Sequence, residues 1–322
     1  MEATYAGIVG APVTPFEPDG SVDYDTFAKQ VDFLIGCGVR ALAHPMHIGE
    51  SLNLTDGERR DLARALVEAA AGRVPTFVHV SHAGTGLAAD LARHATRAGA
   101  TGIVLMPPYH WRPELAAVLD HFAAVAAAGG GSLIAYNNPA ATGVALSASL
   151  LGEMLDRVPG VVAIKDASFD MEVFTDFCAL VAEKGRDVAV YTGVEHLLTS
   201  VPVGGAGCFS ALSEIAPRLV QELYRACARA EVGKARELQY RARRLLKLAM
   251  HKYPATIKYA MALMGRPVGE ARRPIAPLTQ EEKARVRSEL EALGVLQGEP
   301  HGWSTGDRPS AEDAALTGAR AL

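Results

Sequence analysis

The chain has 322 residues, with 32 Lys and Arg against 36 Asp and Glu for a formal net charge of −4; 49% of its residues are hydrophobic and 21% charged. So small a charge, with no Lys- or Arg-rich run, argues against binding nucleic acid or an anionic membrane surface, and the hydrophobic share fits a folded globular chain. No leader-like N-terminus or run of 18 apolar residues occurs, and Cys37, Cys178, Cys208 and Cys227 lie far apart without a CxxC pair, so a metabolic enzyme or binding protein in a reducing, cytoplasmic setting is expected.

In chain order, short apolar and β-branched runs recur at 8–13, 39–43, 75–80, 102–106, 133–136, 161–165, 188–191 and 207–210. Helical periods fill the gaps. The first, 24–35, follows Asp23, a good N-cap, and stops at Gly36; the second, 56–71, follows Thr55 with Glu58 in capping-box position. Further helices are expected at 87–97, 113–127 with Pro113 in its first turn, 148–155 and 171–183. Eight alternations of strand and helix predict parallel strands joined by right-handed crossovers, and eight units close a (β/α)8 TIM barrel. A doubly wound open sheet is the alternative. No GxGxxG follows the first strand and no GxxxxGK[ST] occurs, so nucleotide binding has no sequence support.

From 217 onward the pattern turns all-helical, at 217–250, 253–264 and 279–293. The expected organisation is a barrel over 1–223, a C-terminal helical extension over 224–296, and a disordered tail over 297–322 in which Trp303 is a docking residue.

In a barrel, catalytic groups belong at the C-terminal ends of the strands. The sixth run reads Val161-Val162-Ala163-Ile164-Lys165, and strand alternation puts Val161, Ala163 and Lys165 on one face. A lysine ending such a run is either partly desolvated at the barrel mouth, with the lowered pKa a Schiff-base nucleophile needs, or it snorkels to solvent. The fifth run ends in Tyr136-Asn137-Asn138-Pro139, where Tyr136 is either a proton carrier facing Lys165 or a packing residue. After the second run comes Met46-His47-Ile48-Gly49-Glu50; its glycine either lets backbone N–H groups approach a carboxylate or simply makes a turn. Glu50 is expected to hold that turn by hydrogen bonds.

Taken together, GxxGE after strand two, YNxP after strand five, [IV]K[DE] ending strand six and the opening GIVGAPVTPF resemble the dihydrodipicolinate synthase/N-acetylneuraminate lyase superfamily. The resemblance spans about residues 5–295, including GGAGCFSALSEIAP and PATIKYAMALMG. It implies a class I lyase or aldolase without metal or other cofactor, in which Lys165 forms an imine with a pyruvate-type 2-oxo acid and Tyr136 relays protons. Ile48 and Gly49 would hold the carboxylate, with Tyr109, His110, Ala141 and Ser210 also at substrate-binding positions. A homodimer or homotetramer is implied too, and in part of the family a tyrosine crosses the subunit interface; Tyr109 falls in that region.

Two departures bear on substrate. Most members carry G-[ST]-T-G-E, whereas Met46-His47-Ile48-Gly49-Glu50 replaces both hydroxyls, making His47 a candidate acid/base or substrate-binding group. The synthase that gives the family its name carries G-R-T after the YNxP proline, whereas this chain has Ala140-Ala141-Thr142. Without that arginine a second carboxylate loses a charge-assisted bond of about 1.5–3 kcal/mol. The expected activity is therefore carbon–carbon bond making or breaking next to a 2-oxo acid with an aldehyde, not dihydrodipicolinate synthase proper. An uncharged or aromatic aldehyde is suggested by Tyr109, His110 and Trp111 in one loop. Competing possibilities are a 2-keto-3-deoxy sugar acid dehydratase using the same imine and a non-catalytic 2-oxo acid binding protein. A third is a metal-dependent lyase or hydrolase using His44, His47, His79, His82 and His110, although residues i and i+3 of a strand point to opposite faces.

Overall fold

A computed structural model describes residues 5–158 and 160–305. Eight parallel strands close a barrel in sequence order. They are β1 (Gly7–Gly10), β2 (Ala41–His44), β3 (Thr76–His79), β4 (Gly102–Leu105), β5 (Ser132–Asn137), β6 (Val161–Asp166), β7 (Ala189–Thr192) and β8 (Gly207–Ser210). Nearly every strand residue is buried, because helices cover the outside and side chains fill the inside; the strands thus read as continuous apolar runs. The barrel closes where β1 meets β8. Gly207 faces Gly7 there at φ +149, and a Cβ on it would lie 1.9 Å from the Gly7 carbonyl oxygen, so only glycine fits that seam.

The first two helices that cover the barrel start where their capping residues predict. Asp23 caps α1 (Tyr24–Gly36), and Thr55 with Glu58 forms a complete capping box on α2 (Asp56–Ala70). α3 (Thr85–Arg97) and α4 (Leu115–Gly129) follow. A short α5 (Pro139–Thr142) precedes α6 (Ala148–Arg157), α7 (Met171–Lys184) begins at the Asp170 cap, and a short α8 (Leu197–Ser200) follows β7. Pro113 lies outside α4, whose N-cap is Glu114, and the first strand ends at Gly10 instead of 13, since Pro12 has no N–H for the ladder.

The stretch expected as continuous helix over 217–250 is two helices, α9 (Pro217–Ala228) and α10 (Val232–Ala249), with Ala230 between them at φ 55. The boundary expected after residue 223 falls inside α9. Beyond α10 lie α11 (Ala255–Leu263), α12 (Gln280–Ala292) and α13 (Val295–Gly298).

Disorder expected from 297 onward does not apply to 297–305. The Glu299 carboxylate accepts the backbone N–H groups of Arg218 at 2.9 Å and Leu219 at 3.0 Å, satisfying donors at the start of α9. Buried Arg266 donates to the carbonyls of Pro300 (2.6 Å) and Gly302 (3.1 Å), and Trp303 docks edge-on against Phe33 with ring centroids 6.2 Å apart. Residues 306–322 of the expected tail lie outside the described residues. Among the described residues no helix is long and apolar enough to cross a membrane.

Candidate active site

β5 and β6 pair so that Tyr136 lies directly opposite Lys165 at the C-terminal end of the barrel. Lys165 is 6% exposed, so the snorkelling alternative fails: its stem and its ammonium are both inside. Its Nζ sits 3.9 Å from the centroid of the Tyr136 ring and 4.7 Å from that of Phe209. Two ring faces favour the charged form by about 2 kcal/mol or more in a desolvated setting. Burial opposes it more strongly and brings the amine from 10.5 down to about 7, a difference of about 5 kcal/mol against the ammonium. Burial is therefore decisive, and among the described residues no carboxylate pairs with Lys165 to restore the charge.

Tyr136 is buried and its phenol is pushed up to about 12 by burial, despite the Asn138 Nδ2–H that donates to its oxygen at 3.1 Å. It therefore carries its proton at neutral pH. His47 faces it with ring centroids 5.8 Å apart. Burial, and secondarily the charge of Lys165, hold His47 at about 4, so it is a neutral imidazole that offers one donor and one acceptor.

The other histidines have local duties. His79 Nδ1–H donates to the Pro45 carbonyl at 2.9 Å, with its ring 6.0 Å from that of His47. His44 Nδ1–H donates to the Pro12 carbonyl at 3.1 Å, and burial takes its pKa down to about 3. His82 stands beside Tyr109, and His110 is exposed against Trp111. The His-x-x-His pairs diverge, and among the described residues no three His, Cys, Asp or Glu side chains are grouped to hold a metal ion.

A cleft of about 160 Å³ opens above Lys165. Of the residues singled out in the sequence, Lys165, Tyr136, His47, Ile48 and Ser210 line it. Ser210 donates to Glu195 Oε1 at 2.6 Å and accepts from the Ser213 N–H, so its hydroxyl is held by the protein. Gly49, Tyr109, His110 and Ala141 do not line the cleft. Gly49 is required by packing: a Cβ there would lie 2.7 Å from His44 Cε1 and 3.1 Å from the Pro12 carbonyl oxygen. The Tyr109 hydroxyl donates inward to the Ser81 carbonyl at 3.1 Å, and Ala141 is an exposed residue of α5. Trp111 is 69% exposed and also outside the cleft, so the aromatic loop does not supply the site's apolar wall.

That wall comes from residues the sequence did not single out: Phe169, Val194, Met250 and Tyr253. Each lies just beyond a strand or helix end, where periodicity says nothing about which way a side chain points. Tyr253 does precede the noted PATIKYAMALMG segment, which was the one available signal.

Glu50 anchors the turn from beneath, at φ 56. Its Oε1 lies 2.8 Å from Lys258 Nζ, with both side chains buried, and its Oε2 accepts from the Arg272 N–H (2.8 Å) and Asn53 Nδ2 (3.2 Å). Lys258 also donates to the Glu270 carbonyl and caps the Phe16 ring at 4.2 Å. The helical extension thus holds the loop that carries His47 and Ile48.

The Dihydrodipicolinate synthetase family model matches residues 4–293. The chain belongs to the dihydrodipicolinate synthetase family. It is similar to the 4-hydroxy-tetrahydrodipicolinate synthase of Chlorobium chlorochromatii, 32% identical over 293 residues, 90% of this chain and 98% of that one. The enzyme of that name from Methanothrix thermoacetophila is 30% identical over 92% of this chain and 99% of its own. Among solved structures, the family member YagE from E. coli K12, crystallised in complex with pyruvate, has a TM-score of 0.87 and 29% identity, covering 91% of this chain and 100% of that one. The dihydrodipicolinate synthase of Aquifex aeolicus superposes with a TM-score of 0.84 at 27% identity, over 92% and 100% of the two chains. Members of the dihydrodipicolinate synthetase family are lyases that act through a lysine Schiff base, and this chain is a lyase of that class.

Proposed function

We propose that Lys165 is the Schiff-base lysine and that the chain makes or breaks a carbon–carbon bond next to a pyruvate-type 2-oxo acid, with an aldehyde as the second reactant. The observation that carries this is the buried Lys165 amine, brought down to about 7 and stacked on the Tyr136 ring. The neutral amine attacks the ketone, water leaves, and the imine forms. Loss of a methyl proton gives the enamine, whose carbon attacks the aldehyde carbon while the aldehyde oxygen takes up a proton. Water then hydrolyses the imine and regenerates the amine; cleavage is the reverse. Tyr136, protonated and adjacent, moves the protons. His47, neutral near pH 7, serves as a hydrogen-bonding partner of the substrate instead of a charged acid. The carboxylate rests on the turn through His47 and Ile48.

The activity proposed is not that of the 4-hydroxy-tetrahydrodipicolinate synthases it resembles. Ala141 stands where the synthase arginine is expected, and Arg112, which packs against Gly143, does not line the cleft. A 2-keto-3-deoxy sugar acid dehydratase shares the imine and differs in expelling a hydroxyl as water; it is the second proposal, and product analysis separates the two. A homodimer or homotetramer in a cytoplasmic setting belongs to the same proposal, and sedimentation checks the assembly.

The direct test is methyl-proton exchange of pyruvate in D2O, followed by NMR and compared with Lys165→Ala, since the imine-to-enamine step removes that proton and depends on this amine. Exchange is expected with the protein and pyruvate alone; its absence contradicts the proposal. Tyr136→Phe is expected to slow exchange about 10²–10⁴-fold, the range for a lost acid/base group. The pH dependence follows from Lys165: below about 7 the amine is charged, so kcat/KM for pyruvate falls about tenfold per pH unit, and above it levels off. A pH–rate profile flat down to pH 5 would contradict that assignment.

A further inference from the structure

Resting on the lyase function just proposed, we infer that the second reactant is an aldehyde bearing a flat apolar group, an aromatic aldehyde in preference to one bearing a carboxylate or several hydroxyls. The outer half of the cleft carries this. Among the described residues its lining holds no Arg, Asp or Glu, and Lys165 is its only basic group apart from the neutral His47. A carboxylate on the aldehyde would therefore lose water and gain no cation, because Lys165 is consumed in the imine.

At the mouth the lining is apolar and solvent-facing. Phe169 is 61% exposed, with its ring edge-to-face on His196 at 5.6 Å, and Met250 is 41% exposed. Large apolar side chains exposed at the rim of a reactive cleft gain by covering an apolar ligand. Phe169 also sits at φ 60, a backbone region that non-glycine residues seldom adopt. Hydrogen bonds on both sides hold its backbone there: Asn137 Nδ2 donates to Asp166 Oδ1 at 2.7 Å, Ser168 Oγ donates to Asp166 Oδ2 at 2.8 Å, and the Asp170 N–H donates back to Ser168 Oγ at 3.1 Å. The loop that leaves the Schiff-base strand therefore has its backbone held and presents one exposed aromatic ring at the mouth of the cleft. Tyr253 and Val194 continue the wall inward toward Lys165. Beyond Lys165, Tyr136 and His47 its polar side chains are Asn138, which donates to the Tyr136 oxygen, Ser210, which is bonded to Glu195, and Tyr253, so a polyhydroxylated chain would find fewer partners than hydroxyls.

The test measures kcat/KM with pyruvate and three probes: benzaldehyde, glyceraldehyde and succinic semialdehyde. Benzaldehyde is expected to exceed both others by about tenfold or more. In Phe169→Ser the ratio of benzaldehyde to glyceraldehyde is expected to fall about tenfold; Phe169 is exposed, so the fold tolerates the change, and Met250→Ser gives an independent second reading of the same wall. A preference for either other probe, equal values for all three, or an unchanged ratio in both variants would overturn the inference. Pyruvate methyl exchange with the unsubstituted protein separates the two levels. Exchange without a benzaldehyde preference overturns the aromatic acceptor alone, whereas absence of exchange overturns the Schiff-base proposal beneath it.

Discussion

Lys165→Ala is expected to lower kcat/KM for the reaction of pyruvate by at least about 10⁴-fold, the scale at which a covalent nucleophile is lost while binding groups remain. The same substitution is expected to leave the fold intact. Lys165 forms no ion pair among the described residues, and burial opposes its ammonium by about 5 kcal/mol, so its removal breaks no stabilising contact of comparable size. Lys165→Met, which keeps the stem volume and removes the charge, is expected to hold or raise the thermal midpoint while abolishing activity. A group kept at a cost in stability and needed for turnover is what a catalytic lysine requires. A variant that lost stability and kept its rate would instead mark Lys165 as structural. Circular dichroism melts and initial rates on the two variants measure both sides.

The second large effect lies beneath the site, at the ion pair of Glu50 and Lys258. Both side chains are buried, so removing one partner strands a charge in the interior, and Lys258→Met is expected to cost about 3–5 kcal/mol of stability. The double substitution Glu50→Gln with Lys258→Met removes both charges and is expected to recover most of that loss, because a buried pair adds little beyond its own desolvation penalty. Activity is expected to follow differently. The Glu50 carboxylate also holds the Arg272 N–H and Asn53, and through them the turn carrying His47 and Ile48. In the double variant KM for pyruvate therefore stays raised, about tenfold, even where stability returns. Urea unfolding curves beside steady-state kinetics separate the two.

The barrel was legible because it is built from eight buried runs of similar length, and burial on both faces writes itself into composition. Lys165 and Tyr136 were legible for a related reason: strand parity fixes the face of a side chain, and both stand at strand ends. The loops were not. Tyr109 and His110 are adjacent in sequence to a strand end, yet the first turns inward to a backbone carbonyl and the second outward to solvent. Phe169 lines the cleft from a segment with no periodicity, and Tyr253 from just before α11, at the edge of the expected helix, where periodicity does not fix a side chain's direction. Residues 297–305 were misread for a different reason: they are ordered by charged hydrogen bonds through Glu299 and Arg266, and a search for apolar faces does not detect polar anchors. Neither did the spacing of Glu50 and Lys258, more than two hundred residues apart, announce that they meet.

The central claim is that Lys165 forms an imine with a 2-oxo acid. Incubating the protein with pyruvate and sodium borohydride, followed by peptide mass spectrometry, tests it most directly, because reduction freezes the imine as a stable secondary amine. One reduced pyruvate unit on the peptide containing Lys165 is expected, absent from Lys165→Ala. An unmodified Lys165 peptide, or an adduct on another lysine such as Lys258, would contradict it.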